Sequence, residues 1–250
     1  MPRIAEVGPD LYRISEYLPH IDLEFALFVV KDEEPLLFHT LMRSLFPTMR
    51  EAVAKVIDPA KLRWISFSHF EADECGALNE WLTVAPHAQP VVSPLSVLLN
   101  VNDFAIREGR QLTKDESLST GKHRFRYIPT PHLPHGWDAG VMFEETQRTL
   151  LCSDLLHQSG DLEPVTESDV LGRVRDTLVS YQGSELLADY MPYTPRTGRL
   201  LNALAELQPA TLATMHGSVY RGDGARVLRE VAGIMKDVLG EEAQPARVSA

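Results

Sequence analysis

Residues Ser68-His69-Phe70-Glu71-Ala72-Asp73-Glu74-Cys75-Gly76 follow directly on the apolar run Trp64-Ile65-Ser66-Phe67. One imidazole and three carboxylates, His69, Glu71, Asp73 and Glu74, stand where a buried strand must turn into a loop. Alternate residues of an extended segment share a side, so His69, Glu71 and Asp73 can converge on one cavity while Phe70 and Ala72 pack behind them. Such a hard, oxygen-rich set suits iron or manganese better than an all-histidine or thiolate site would. A plainer reading makes the same acids the first turn of a helix starting near Gly76. Ligands elsewhere in the chain decide between the two.

Three later stretches end in residues of the same kind. The loop Pro129-Thr130-Pro131-His132-Leu133-Pro134-His135-Gly136-Trp137-Asp138, stiffened by its prolines, carries His132 and His135. The apolar run Thr149-Leu150-Leu151-Cys152-Ser153 stops at Asp154, and Ala210-Thr211-Leu212-Ala213-Thr214-Met215 runs straight into His216. His39 stands at the end of another strand. His132 and His157 adjoin ligand positions as supporting partners, whereas His20, His87 and His123 sit in turn-like contexts and read as solvated. Trp137, Tyr193 and Tyr220 are candidates for pocket walls or for ordinary core.

The elements that must position these residues follow from periodicity. Leu11 to Ile14, Glu24 to Val30 and Leu36 to His39 read as strands, the last two joined as a hairpin through the polar turn at 31–35. A helix follows Pro47 through Met49, Val53 and Val56, then comes the strand Arg63 to Phe67. Helices are expected over Ala77 to Leu82 and Leu95 to Leu99, with a short strand at Val91-Val92 between them. Arg107 to His123 is polar and turn-rich. Arg124 to Ile128 alternates as a half-buried strand, and Val141 to Phe143 pairs with Thr149 to Ser153. Helices are expected over Glu167 to Tyr190, Arg196 to Leu207 and Ala225 to Leu239, with 241–250 as a flexible tail. The order predicts an α/β (α+β) fold in which two mixed sheets pack face to face with helices outside, an αββα sandwich covering 1–250 as a single domain.

Composition excludes several classes. The 250 residues are 44% hydrophobic, enough for a sizeable core, and carry a net charge of −11 with no long Lys/Arg cluster, which argues against nucleic acid as a partner. No run approaches the roughly 20 apolar residues that span a bilayer, and the N-terminus lacks a secretory apolar stretch, so a cytoplasmic protein is expected. The two cysteines, Cys75 and Cys152, are too few for a disulfide framework and read as reduced thiols.

The order of ligands resembles the metallo-β-lactamase superfamily, and within it the flavodiiron branch, whose first motif reads His-x-Glu-x-Asp-His. Glu71 stands where the hydrolases of the superfamily carry His. Leu133-Pro134-His135-Gly136-Trp137-Asp138 is similar to the branch's Leu-His-x-x-Asp motif with one inserted proline, which favours His135 over His132. The spacings from His135 to Asp154 and on to His216 agree as well. The resemblance implies one iron held by His69, Glu71 and His135, another by Asp73 and His216, and Asp154 bridging. Glu74 departs from the motif's second His and becomes a further possible ligand; His132 is the reserve histidine.

What the resemblance implies for function is a non-haem diiron protein that binds dioxygen or nitric oxide, zinc or manganese being the other metals to test. No flavin (FMN) site is expected in this chain, because about 34 residues after His216 are too few for a flavodoxin domain. It would act as an oxygen sensor like the stand-alone oxygen-binding diiron proteins, with a signalling partner. Alternatively it would be the diiron module of an oxidoreductase served by a separate redox protein. A homodimer is one assembly the resemblance leaves open, although without a flavodoxin domain the branch's reason for dimerising disappears. From another class comes a metal-dependent hydrolase of esters, lactones or phosphodiesters, in which Asp73 or Glu74 handles the proton; a metal-free scaffold is the third reading.

Overall fold

A computed structural model of the chain describes residues 1–114 and 116–240; the tail expected at 241–250 lies outside the described residues. The first sheet contains β1 (Arg3–Gly8), β2 (Leu11–Leu18), β3 (Leu23–Val30), β4 (Leu36–Phe38), β5 (Trp64–Ser66), β6 (Gln89–Val92) and β7 (Arg110–Gln111), in that order. Its first four strands are antiparallel, including the anticipated β3–β4 hairpin, and β4 to β7 are parallel. The parallel half needs crossovers, and these carry α1 (Phe46–Val53), α2 (Ala72–Cys75), α3 (Leu78–Val84), α4 (Pro94–Ser96) and α5 (Asn102–Phe104). A π-helical turn, Val97–Val101, joins the last two.

The second sheet contains β8 (Ser117–Ser119), β9 (Arg124–Pro129), β10 (Gly140–Glu144), β11 (Thr149–Ser153), β12 (Val165–Thr166), β13 (Thr211–Thr214) and β14 (Val219–Arg221). Its order is β12-β14-β13-β11-β10-β9-β8, with β11–β13 and β12–β14 parallel. Helices α6 (Leu171–Gln182), α7 (Thr197–Ala205) and α8 (Gly224–Leu239) complete the chain.

Alternation along the strands produces the layers. Phe28 and Val30 of β3 meet Phe125, Tyr127, Met142 and Leu151 between the sheets, while Leu27 and Val29 face Met49, Val53 and Trp81 of the helices outside the first sheet. Val141, Phe143 and Leu150 point instead to Leu178, Leu204 and Leu228 outside the second sheet. The result is the expected αββα sandwich. No described helix is long and apolar enough to cross a membrane.

Where the structure departs from the sequence reading, the cause is local. The segment after His69 does not stay extended: it bends and enters α2. Phe70 is therefore 47% exposed and Ala72 is exposed as well, rather than packed behind the acids. The helix expected from Glu167 to Tyr190 spans only Leu171–Gln182, stopping at Gly183. His123 is buried against Glu144, its Nδ1 3.2 Å from Oε1, instead of solvated. Strands β1, β7, β8, β12 and β14 were not anticipated.

Candidate metal centre

The ends of β4, β5, β11 and β13 meet at one edge of the sandwich, and the residues just beyond them take backbone conformations that strands do not. His39 and Leu41 after β4, Ser153 at the end of β11 and Leu156 beyond it all have positive φ, as do His132, Gly136 and Gly217. Left-handed non-glycine residues cost of order 1–3 kcal/mol each and gather where a site demands a fixed turn. At Gly217, φ is +102° and a Cβ would stand 2.6 Å from Gln158 Cβ, so glycine alone lets the chain turn directly behind His216. Asp138 ties two loops together: Oδ2 accepts from the Phe70 N–H at 3.1 Å and from Ser96 Oγ at 2.8 Å. Thr214 Oγ1 donates to the Ser153 and Leu155 carbonyls and joins the ends of β11 and β13.

On this frame the structure brings His69, Glu71, Asp73, His135, Asp154 and His216 together, with Glu74 among them. His69 Nε2 lies 2.9 Å from His135 Nε2 and 3.2 Å from Glu71 Oε2, which is 2.7 Å from His135 Nε2. Asp154 Oδ2 faces this group, 3.6 Å from His69 Nε2 and 3.5 Å from His135 Nε2. Its other oxygen, Oδ1, is 3.2 Å from His216 Nε2, and His216 Nε2 is in turn 3.5 Å from Asp73 Oδ2. The two oxygens of one carboxylate therefore face two separate ligand groups. Around a cation with bonds near 2.1 Å, adjacent ligand atoms stand roughly 3.0–3.4 Å apart, and the observed separations scatter about that range.

Glu74 adds an independent test of fit. It is fully buried, and neither of its oxygens accepts a hydrogen bond among the described residues; His69 Nε2 is 3.7 Å from Oε2. Burial first, then Asp154, Asp73 and Glu71, push its carboxyl well above the usual range. An orphaned buried carboxylate amid three others is costly, and a cation shared by the cluster removes that cost. The donor set, three imidazoles and four carboxylates without a thiolate, fits hard or borderline divalent metals. Cys75 and Cys152 are buried thiols, and burial raises both.

Without a cation, protons hold the site together. Burial opposes charge on His216, but Asp154 and Asp73 raise it to about 10. Burial likewise opposes charge on His69, which Glu71 and Asp154 raise. His135 and His69 lower Glu71 to about 2 despite its burial. Behind the ligands, His69 Nδ1 is 3.0 Å from Ser68 Oγ, which also meets His39 Nε2 at 3.1 Å and Ser153 Oγ at 2.7 Å. His39 is buried and held neutral, at about 3, chiefly by that burial.

On one wall of the site His157 stands beside the cluster as expected, but the two tyrosines that hold it had no counterpart in the sequence. His157 stacks on His216 with centroids 4.4 Å apart, and its nitrogens meet Tyr190 Oη at 3.2 Å and Tyr181 Oη at 3.0 Å. The Tyr190 ring packs on His135 at 4.6 Å. Burial keeps His157 neutral and the Tyr190 hydroxyl protonated, so this wall adds no charge beside the cluster. Gly183-Ser184 was the available helix-stop signal that would have separated Tyr190 from α6.

Other candidates fall elsewhere. His132 is exposed and is not among the close ligand groups, which contain His135. Trp137 is 61% exposed, and Tyr193 and Tyr220 pack with the core outside the second sheet. His20 and His87 are exposed, as expected. If His135 is a ligand, His135→Ala will lose at least half of the bound metal by elemental analysis while His132→Ala keeps it; full occupancy in the former would reverse the assignment.

A family model described as "ODP family beta lactamase" matches residues 24–217. The chain is 25% identical over 207 residues to the rubredoxin-oxygen oxidoreductase of Megalodesulfovibrio gigas, covering 79% of this chain and 49% of that protein. Among solved structures, rubredoxin oxygen:oxidoreductase from Desulfovibrio gigas superposes with a TM-score of 0.79 at 19% identity over 92% of this chain and 62% of that one. The flavodiiron protein from Giardia intestinalis does so with a TM-score of 0.76 at 16% identity, over 92% and 58%. The chain spans about half the length of the first of these relatives.

Proposed function

The chain belongs to the ODP family of beta lactamases, and on that premise we propose that it holds two iron ions and binds dioxygen at them, nitric oxide being the second ligand of the same class. His69, Glu71 and His135 would hold one iron, Asp73 and His216 the other, with Asp154 between them and Glu74 as an added carboxylate. The observation that carries this reading is the division of the ligand set by the two oxygens of Asp154. When bound, the pair supplies a place for a small diatomic ligand and electrons to share with it. The name of the Megalodesulfovibrio relative couples oxygen to rubredoxin; for this chain a separate redox or signalling protein is the matching partner. Ligands drawn from both sheets support treating 1–250 as one domain.

The protein's own groups shape that chemistry. Glu71, 46% exposed, opens the site to solvent on one side, while His69, Asp154 and His216 are closed off. Tyr190 and the neutral His157 form an uncharged wall, and a neutral imidazole can donate from only one nitrogen, so one tyrosine donates to it and the other accepts. Admission of oxygen to the iron(II)-loaded protein should remove about one O2 per chain from solution, read with an oxygen electrode. Absence of uptake, with hydrolysis of an ester or phosphodiester instead, would defeat the proposal.

Because His69 and His216 carry raised proton affinity in the metal-free fold, metal uptake must displace protons. Loading at pH 7 in weak buffer is expected to release protons, and affinity will rise with pH until His216 loses its proton at about 10. A pH-independent affinity would contradict this.

A further inference from the structure

Glu24 and Arg13 form an ion pair that the ligand set does not use. Both side chains are fully buried, Arg13 on β2 and Glu24 on β3. Arg13 Nη2 donates to Glu24 Oε2 and to the Gly217 carbonyl, each at 2.8 Å, and Nη1 donates to Ser15 Oγ at 2.6 Å. Ser15 Oγ donates onward to Glu24 Oε1 at 2.7 Å, where Arg3 also pairs. The backbone carbonyl of Glu24 accepts from His216 Nδ1 at 2.8 Å. Glu24 thus holds His216 through its main chain and Arg13 through its side chain, and Arg13 grips the carbonyl of the next residue, Gly217.

A buried pair of this kind is poor evidence for stability, since desolvation of the two charges offsets their attraction. What it does supply is geometry. The planar guanidinium can satisfy three acceptors in fixed directions, which an ammonium cannot. Those acceptors span the first sheet and the turn after β13 of the second, the turn that delivers His216. A carbonyl only accepts, so the Glu24 oxygen keeps a proton on His216 Nδ1 and leaves Nε2 facing Asp73 and Asp154.

We propose that the buried Arg13–Glu24 pair is a positioning clamp that fixes the orientation and Nδ1–H form of His216, and through it sets the affinity for the metal shared with Asp73, without touching that metal. The second part of this inference rests on the diiron reading; the first does not. Arg3, on β1, seats the outer side of Glu24 and reaches the Leu162 carbonyl at 2.8 Å, so the clamp is anchored at the sheet edge as well.

Two variants test it. Arg13→Lys keeps the charge but loses the fork, and the double variant Arg13→Met with Glu24→Met removes both charges and the cost of burying them, keeping the fold intact. Anaerobic iron(II) titration of each metal-free protein should show the weaker of two binding steps loosened by about 10–100-fold, the range for groups that orient a ligand, with the tighter step unchanged. In parallel, the downfield ring N–H proton signal that His216→Gln abolishes should be retained by the parent protein and lost to solvent exchange in the double variant. Folded variants with both binding steps and the ring signal unchanged would overturn the clamp. If the parent itself takes up fewer than two irons, the diiron reading fails, and the ring signal still decides whether His216 is clamped.

Discussion

Asp154→Ala is expected to strip both metals, leaving less than about a tenth of the parent's content by elemental analysis. The reason is geometric: Oδ2 faces the His69 and His135 nitrogens and Oδ1 faces His216, and among the described residues no other single side chain is placed to serve both groups. Burial opposes its charge, and His216, His69 and His135 hold its carboxyl far below the ordinary range nonetheless. Removing the anion leaves those imidazoles without their common partner. The fold should survive, because the core clusters between and outside the sheets do not use this side chain. Asp154→Asn, which keeps the shape and loses the charge, should lie between the two extremes. Two metals retained in the alanine variant would show that the groups do not share Asp154.

The second large effect is expected at Glu74. In the metal-free protein its two buried oxygens lack hydrogen-bond donors and lie near Asp154, Asp73 and Glu71. In Glu74→Gln a neutral amide replaces a carboxyl that burial and its neighbours already push toward the protonated, hydrogen-donating form in the metal-free protein, so the metal-free variant should melt close to the parent. With metals bound the two proteins differ. One anion fewer offsets less of the charge on two cations, so metal affinity falls and the oxidised pair is disfavoured, moving the midpoint potential upward by on the order of tens of millivolts. Thermal melts with and without metal, and a redox titration, read both halves. Equal potentials in the two proteins would remove Glu74 from the metal environment.

The members of the cluster were legible in the sequence because their types are distinctive and each lies just past an apolar run: His69 after Trp64-Ile65-Ser66-Phe67, Asp154 after Thr149 to Ser153, His216 after Ala210 to Met215. A strand that ends at a sheet edge delivers its next residue to that edge, so motif and topology gave the same answer. His157 was legible as a neighbour of Asp154, but its tyrosine partners and the clamp were not, since each is made by residues distant in sequence. His157 reaches Tyr190 across 33 residues, and Glu24 reaches His216 across 192. Arg13 shares a strand face with the buried Leu11, an apolar position in an ordinary sandwich, and its charge is met there by Glu24 of the neighbouring strand.

Short strands failed for a related reason. Two-residue strands such as Arg110–Gln111 and Val165–Thr166 are too short to show a period, and they exist because a longer neighbour offers backbone partners. The β1 strand has a half-exposed pattern with only Val7 buried, the weak signature of an edge. The turn after His69 misled the alternation argument in detail but not in outcome. A short helix instead of an extended segment still gathers Asp73 and Glu74 beside His69, with Phe70 turned outward to meet Phe104 at 5.3 Å.

The diiron reading stands or falls on metal content together with the ultraviolet-visible spectrum of protein purified without oxygen, recorded before and after air is admitted. About two irons per chain and a new oxygen-dependent absorption are expected. Zinc in place of iron, with a spectrum indifferent to air, would contradict it.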